Sequence, residues 1–174
     1  MNLTYAALLL PFTAFAQDAA WHDPGFKKVA QIAIVCKDIE ASSRRRAEVL
    51  GMDAPKIAIT RPGTDAKVIF RGKPSNDRAK LAFFPNGQVA IELIEPVGSN
   101  TSWKEELDAH GESVHHLGFQ VQDLERTVRY FESKGMDVIH RGRYDKDNGD
   151  YVYVDTRKQL GVVIELLHSD AAPK

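Results

Sequence analysis

Two glutamates sit where a carboxylate is expensive. Glu92 lies in the run Ile91-Glu92-Leu93 and Glu165 in Ile164-Glu165-Leu166. In a period-two strand each carboxylate points to one face while its Ile and Leu neighbours point to the other. A carboxylate facing a sheet interior must be neutralised by something. His116 and Gln31, each near the start of another apolar run, offer an imidazole and an amide oxygen. This donor set is rich in oxygen and has no thiolate. It suits one divalent metal ion: Zn²⁺, Ni²⁺, Co²⁺, Mn²⁺ or Mg²⁺. The two carboxylates offset the divalent charge. Four protein ligands on an octahedral ion leave open positions, so a substrate could bind through two neighbouring oxygens.

The elements that must position these residues come in two copies. Val29 to Glu40 (VAQIAIVCKDIE) aligns with Val114 to Glu125 (VHHLGFQVQDLE), setting Gln31 on His116 and Asp38 on Asp123. Gly51-Met52-Asp53 matches Gly135-Met136-Asp137 after one gap, and Val89 to Ile94 (VAIELI) matches Val162 to Leu167 (VVIELL). The last pair sets Glu92 on Glu165. Separate blocks matching in the same order mark a duplicated folding unit. His115 is the rival of His116. Strand alternation puts them on opposite faces, and the alignment with Gln31 selects His116.

Each copy reads β-α-β-β-β, so the fold class is α+β with two βαβββ modules in tandem. The first strands are Val29 to Cys36 and His116 to Val121. Asp38 and Asp123 follow them as helix N-caps. Leu124, Val128 and Phe131 form one apolar stripe on the second helix. Gly51 and Gly135 stop the helices. The remaining strands are Lys56 to Thr60, Lys80 to Phe84 and Val89 to Ile94 in copy one. In copy two they are Asp137 to Arg141, Tyr151 to Asp155 and Val162 to Leu167. Pro85-Asn86-Gly87 reads as a hairpin turn. Arg61 to Arg78, rich in Pro, Gly and charge, is an excursion expected to overhang the site. Ser102 with Glu105 resembles a capping box opening a short helix that carries Trp103 and Leu107 and ends at Gly111. The modules span 28–98 and 113–168, joined by a linker over 99–112. An N-terminal arm covers 17–27 and a tail 169–174.

Composition excludes several classes. The chain has 174 residues, 43% hydrophobic and 27% charged, with a net charge of −1. That is globular composition without the basic stripe that nucleic acid or an anionic membrane calls for. Arg44-Arg45-Arg46 reads as a solvated helix face. Cys36 is the single cysteine, which excludes an intrachain disulfide and a zinc ribbon. It reads as a small core residue. Leu3 to Phe15 is mostly apolar and ends in Ala14-Phe15-Ala16. The run is shorter than the roughly 20 residues that span a bilayer. It resembles a secretory leader cleaved after Ala16, although its start carries no Lys or Arg. With such a leader the protein is exported; without one it is cytoplasmic.

These residues together resemble the vicinal oxygen chelate superfamily, the glyoxalase and bleomycin-resistance fold, over about Lys28 to His168. The stretches IELIEPVG (Ile91 to Gly98) and HGESVHHLGFQVQDLE (His110 to Glu125) are similar to methylmalonyl-CoA epimerase. The resemblance implies two βαβββ units whose sheets curl into a cupped site, with metal ligands at Gln31, Glu92, His116 and Glu165. Epimerases usually carry His where this chain has Gln31. The Gln/Glu/His/Glu set looks instead like the eukaryotic type of glyoxalase I. The iron-dependent dioxygenases of the superfamily use two His and one Glu, which Gln31 disfavours.

The leading functional expectation is a metal-dependent lyase or isomerase acting next to a carbonyl. The metal would act as Lewis acid toward a small substrate chelated through vicinal oxygens. Glu165 or Glu92 would be the base, as the likeness to glyoxalase I implies. Arg71 and Tyr153 are candidates for substrate contact. The alternative is a non-enzymatic small-molecule binding protein of the bleomycin-resistance kind; a third reading is a metal that only stabilises the fold. The expected partner is a small molecule, with no nucleic acid, no stable membrane insertion and a homodimer left open.

Overall fold

In the computed structural model, the described residues are Phe26 and 28–170. The leader, and the arm and tail apart from Phe26, Ser169 and Asp170, lie outside them. Among the described residues no helix is long and apolar enough to cross a membrane.

Copy one runs β1 (Val29–Val35), α1 (Ile39–Leu50), β2 (Ala58–Ile59), β3 (Ile69–Phe70), β4 (Lys73–Pro74), β5 (Arg78–Asn86) and β6 (Val89–Val97). Then comes α2 (Ser102–His110). Copy two runs β7 (Val114–Gln120), α3 (Leu124–Ser133), β8 (Val138–Arg143), β9 (Gly149–Val154), α4 (Arg157–Leu160) and β10 (Val163–Ser169). All strands join one curled sheet in the order β2-β5-β6-β1-β7-β10-β9-β8-β3-β4. At its centre β1 and β7 pair antiparallel, so the two copies meet strand to strand. Each is flanked by the last strand of its own copy, β6 or β10, in parallel.

Local chemistry explains the helices. Asp38 accepts from the Ala41 N–H at 2.9 Å and Asp123 from the Arg126 N–H at 3.0 Å, each satisfying an orphan donor of the first turn. Gly51 closes α1 in the left-handed region (φ 64°). The helices cover the convex face. Ile39 and Ala47 of α1 pack with Ala82, Phe84 and Leu93. Leu124, Val128 and Phe131 of α3 pack with Val152, Ile164 and Leu166. Each large apolar side chain buried this way contributes about 1.5–3 kcal/mol. Cys36 sits in the first cluster, and burial pushes its thiol up to about 11.

Three features differ from the sequence reading. The Arg61–Arg78 excursion contains the β3–β4 hairpin, and β3 pairs with β8 of the other copy (Ile69 with Arg141, Phe70 with His140). The excursion therefore leaves one end of the sheet at β2 and joins the opposite end. It is a strap across the cup. The cap of α2 falls one residue earlier than expected: Thr101 accepts from the Lys104 N–H at 3.0 Å. Ser102 is thereby free to place its Oγ 3.1 Å from His140 Nδ1, tying α2 to β8. The turn is also tighter than read, since Pro85 and Asn86 belong to β5 and leave Gly87-Gln88 to reverse the chain.

His140 is fully buried. Burial first, and the charge of His116 second, push its imidazole down to about 3. The unfolded chain takes up this proton near pH 6.5 while the folded chain does not. Its neutral burial therefore costs nothing above pH 6.5 and lowers stability as pH falls from 6.5 toward 3, by up to about 1.4 kcal/mol per unit. We expect His140→Gln to flatten the stability profile between pH 6 and 4. Urea unfolding across that range checks this, and an unchanged slope would contradict it.

Candidate metal centre and its cavity

The site lies on the concave face, built around the central strand pair. Gln31 stands opposite Gly118, and Ala33 opposite His116. Glu92 stands beside Ala33 on β6, and Glu165 beside Gly118 on β10. The four candidate side chains therefore surround two small residues. A Cβ on Gly118 would lie 2.5 Å from Gln31 Cγ and 3.0 Å from Glu165 Oε2. Glycine at this position leaves the space those side chains occupy. Period two does the rest: Ile91, Leu93, Ile164 and Leu166 pack under the helices while both carboxylates turn inward.

Glu92, His116 and Glu165 are buried, and their ligand atoms all lie within 4.8 Å of one another. His116 Nε2 is 3.0 Å from Glu165 Oε2 and 3.5 Å from Glu92 Oε2. Gln31 Nε2 donates to Glu92 Oε2 and to Glu165 Oε2, each at 2.9 Å. Burial alone would depress His116, but the two carboxylates outweigh it and hold its imidazole at about 9. Burial raises the Glu92 carboxyl, against the opposing hydrogen bond from His116. The His116 ring and the Gln31 amide N–H thus lie against both carboxylates. Turning the Gln31 amide would present its oxygen to the same point. Two carboxylates, one imidazole and one amide oxygen, converging beside a glycine cradle, fit a divalent cation.

His115 belongs to this centre as well. The pairing of β1 with β7 shifts register between Ala33–His116 and Ile34–Val114, which leaves His115 as the extra residue of a β-bulge. The bulge breaks the alternation that was expected to send His115 to the other face. Its Nδ1 lies 2.8 Å from His116 Nδ1. Burial first, and the charge of His116 second, hold His115 well below the usual range, the nearby Ser102 backbone opposing them weakly. Neutral His115 accepts the His116 Nδ1–H, which leaves His116 Nε2 facing the glutamates. A partner on the second nitrogen is what orients a metal-binding histidine.

Above the ligands is a cavity of ≈ 260 Å³. Gln31, Glu92 and Glu165 reach it from the sheet, and Thr60, Arg61, Ala66 and Val68 from the strap and its root. Leu81, Phe83, Trp103, Tyr151, Tyr153 and Leu167 form much of the remaining wall. Phe83 and Tyr153 stand beside Glu92 and Glu165 in the register, at matching places in the two copies. The Tyr153 hydroxyl accepts from Trp103 Nε1 at 3.3 Å, and burial pushes it well above the ordinary phenol range.

A superfamily model covers most of this architecture. The glyoxalase/bleomycin resistance protein/dioxygenase superfamily model matches residues 30–154. The chain belongs to that superfamily. Its structure has the superfamily's vicinal oxygen chelate fold. It is similar to methylmalonyl-CoA epimerase from Mycobacterium tuberculosis, at 21% identity over 83% of this chain and 88% of that one, with a TM-score of 0.59. It is also similar to a hypothetical protein from Bacillus halodurans C-125, at 18% identity over 84% and 97% of the two chains, with a TM-score of 0.61. Among curated proteins it matches the uncharacterised protein YqjC of Bacillus subtilis (strain 168), 28% identical over 90 residues. That match spans 51% of this chain and 64% of the relative.

In this superfamily member the structure brings Gln31, Glu92, His116 and Glu165 together and sets Tyr153 in the cavity wall. It does not bring Arg71 there. Arg71 is exposed on the hairpin, paired with both Glu105 oxygens at 2.8 Å. Sequence reasoning sent His115 to the opposite face and missed Phe83, Tyr151 and Arg61. The alternation of Tyr151 with Tyr153 was a usable signal, because both had to share a face.

Adding one methyl to the cradle tests its tightness. We expect Gly118→Ala to destabilise the protein by about 1–3 kcal/mol through overpacking, although Ala normally suits a strand better than Gly. Urea unfolding measures it; a neutral or stabilising result would mean the space is not required.

Proposed function

We propose that the protein is a metal-dependent isomerase or lyase of the glyoxalase/epimerase type. It removes a proton next to a carbonyl of a small substrate that binds through two vicinal oxygens. The observation that carries this is the convergence of Gln31, Glu92, His116 and Glu165, with three of them reaching the cavity. A divalent cation held there supplies Lewis-acid polarisation of the substrate carbonyl.

The chain's own residues do the rest. His116, oriented by His115, and Gln31 hold fixed positions on the central strands. Glu165, or Glu92 at the equivalent point, takes the proton at a carboxylate oxygen and returns it. Both stand at the cavity floor with aromatic neighbours that exclude water, which strengthens electrostatic interactions inside. The superfamily membership agrees with this reading. So does the likeness to a methylmalonyl-CoA epimerase, an isomerase by name.

A second reading is a non-enzymatic small-molecule binder, in which Gln31 and His116 hold both glutamates by hydrogen bonds. In that case the apolar and aromatic wall alone would hold the ligand.

Metal analysis by mass spectrometry on wild type, His116→Ala and Glu165→Ala separates these. One divalent ion per chain is expected in the wild type and a loss of at least about tenfold in affinity in each variant. Equal metal content in all three proteins would remove the proposed centre. Deuterium exchange into a 2-hydroxy ketone or hemithioacetal, by the wild type only, is expected of the enzyme. Metal without exchange on any such compound would leave the binder ahead.

A further inference from the structure

Apart from the floor glutamates, the charged residues of the cavity wall are Asp77 and Asp145, which accept from the Asn100 and Arg61 backbone N–H groups, and two cations, Arg61 and Arg143, whose states differ. Arg143 is engaged at every nitrogen: its Nε, Nη1 and Nη2 donate to Asp147, Asp150 and Asp170 at 2.7, 3.0 and 2.5 Å. Arg61 is not. Its Nη2 donates to Asp147 at 3.2 Å, and its Nε is buried without a partner among the described residues. The sealed Nε is out of a cavity ligand's reach, so the donors that such a ligand can meet are the outer Nη groups, of which Nη2 makes one long bond. Arg61 is also held in place, because its backbone N–H donates to Asp145 Oδ1 at 3.1 Å. It sits at the root of the strap that bridges the two ends of the sheet, facing the same cavity as Gln31, Glu92 and Glu165.

We propose that Arg61 is a binding residue for the substrate's carboxylate, and that the substrate is a short hydroxy-keto acid. The proposal rests on the metal-chelation reading above and adds the substrate class to it. The floor takes two vicinal oxygens. Much of the cavity wall is apolar, with Val68, Leu81, Phe83 and Leu167. The strap side offers a guanidinium with donors to spare, the group that best matches a planar carboxylate. A volume of ≈ 260 Å³ is at the small end for ligand sites, which suits a short acyclic chain. A ligand with an oxygen pair at one end, two or three methylenes and a carboxylate at the other meets each of these surfaces.

The test uses a matched pair of probes, 5-hydroxy-4-oxopentanoate and its methyl ester, which share the oxygen pair and differ in the carboxylate charge and one methyl group. Binding is measured by calorimetry on wild type, Arg61→Gln and Arg61→Lys, each loaded with Co²⁺ and each metal-free. Loaded wild type is expected to bind the acid about tenfold or more tightly than the ester. In Arg61→Gln that preference falls below about twofold while affinity for the ester is unchanged, and Arg61→Lys recovers part of it. The comparison is internal to each variant, so partial misfolding does not imitate it. Equal affinity for acid and ester in the wild type overturns the assignment, as does a preference that survives Arg61→Gln. An Arg61-dependent preference, with the affinity of both probes unchanged by Co²⁺, upholds Arg61 and overturns the chelation reading. Binding of neither probe to the loaded protein overturns both.

Discussion

Two carboxylates placed inside a sheet set the terms for the rest of this molecule. Glu92 and Glu165 are nearly inaccessible to water, and like charges so close repel one another. A buried charge persists only when it is paired and hydrogen-bonded. Here the compensation comes from the central strands, with His116 and Gln31 between the two glutamates. That arrangement in turn demands small residues at the centre of the pair, and Ala33 and Gly118 supply them. The centre is therefore compact because the charges require partners within hydrogen-bond reach, and the strand pairing provides them.

Duplication explains why the two halves of the centre look alike. Each copy contributes one residue from its first strand and one glutamate from its last, and the copies meet where β1 pairs with β7. The same pleat that turns the glutamates inward turns Ile91, Leu93, Ile164 and Leu166 outward, under α1 and α3. One alternation serves both the core and the site. A substitution that shifted strand register by one residue would expose the apolar set and remove the ligands together.

What departs from the duplication makes the cup specific. The strap exists in copy one only, and it closes the far edge of copy two through β3. The helix α2, between the copies, inserts Trp103 beside Tyr153 and His140. The bulge at His115 adds a link from His115 to His116. These parts supply orientation and enclosure, which four ligands on a sheet do not possess by themselves.

The sequence alone determined the duplicated unit, the helix caps at Asp38 and Asp123, and the inward direction of both glutamates. Those follow from local spacing, and local spacing is carried by adjacent residues. Equivalence between the copies also selected His116 beside Gln31. The tertiary structure decided the rest. The destination of the strap depends on pairing between residues some 70 positions apart, as Ile69 with Arg141 shows. The bulge that gathers His115 depends on register with β1, which no reading of β7 by itself contains. Arg71, charged and on the same excursion, found Glu105 at the surface, whereas Arg61 was placed in the cavity wall. Both are arginines of one loop. Only the folded strap, by fixing which side of the cup each occupies, separates them.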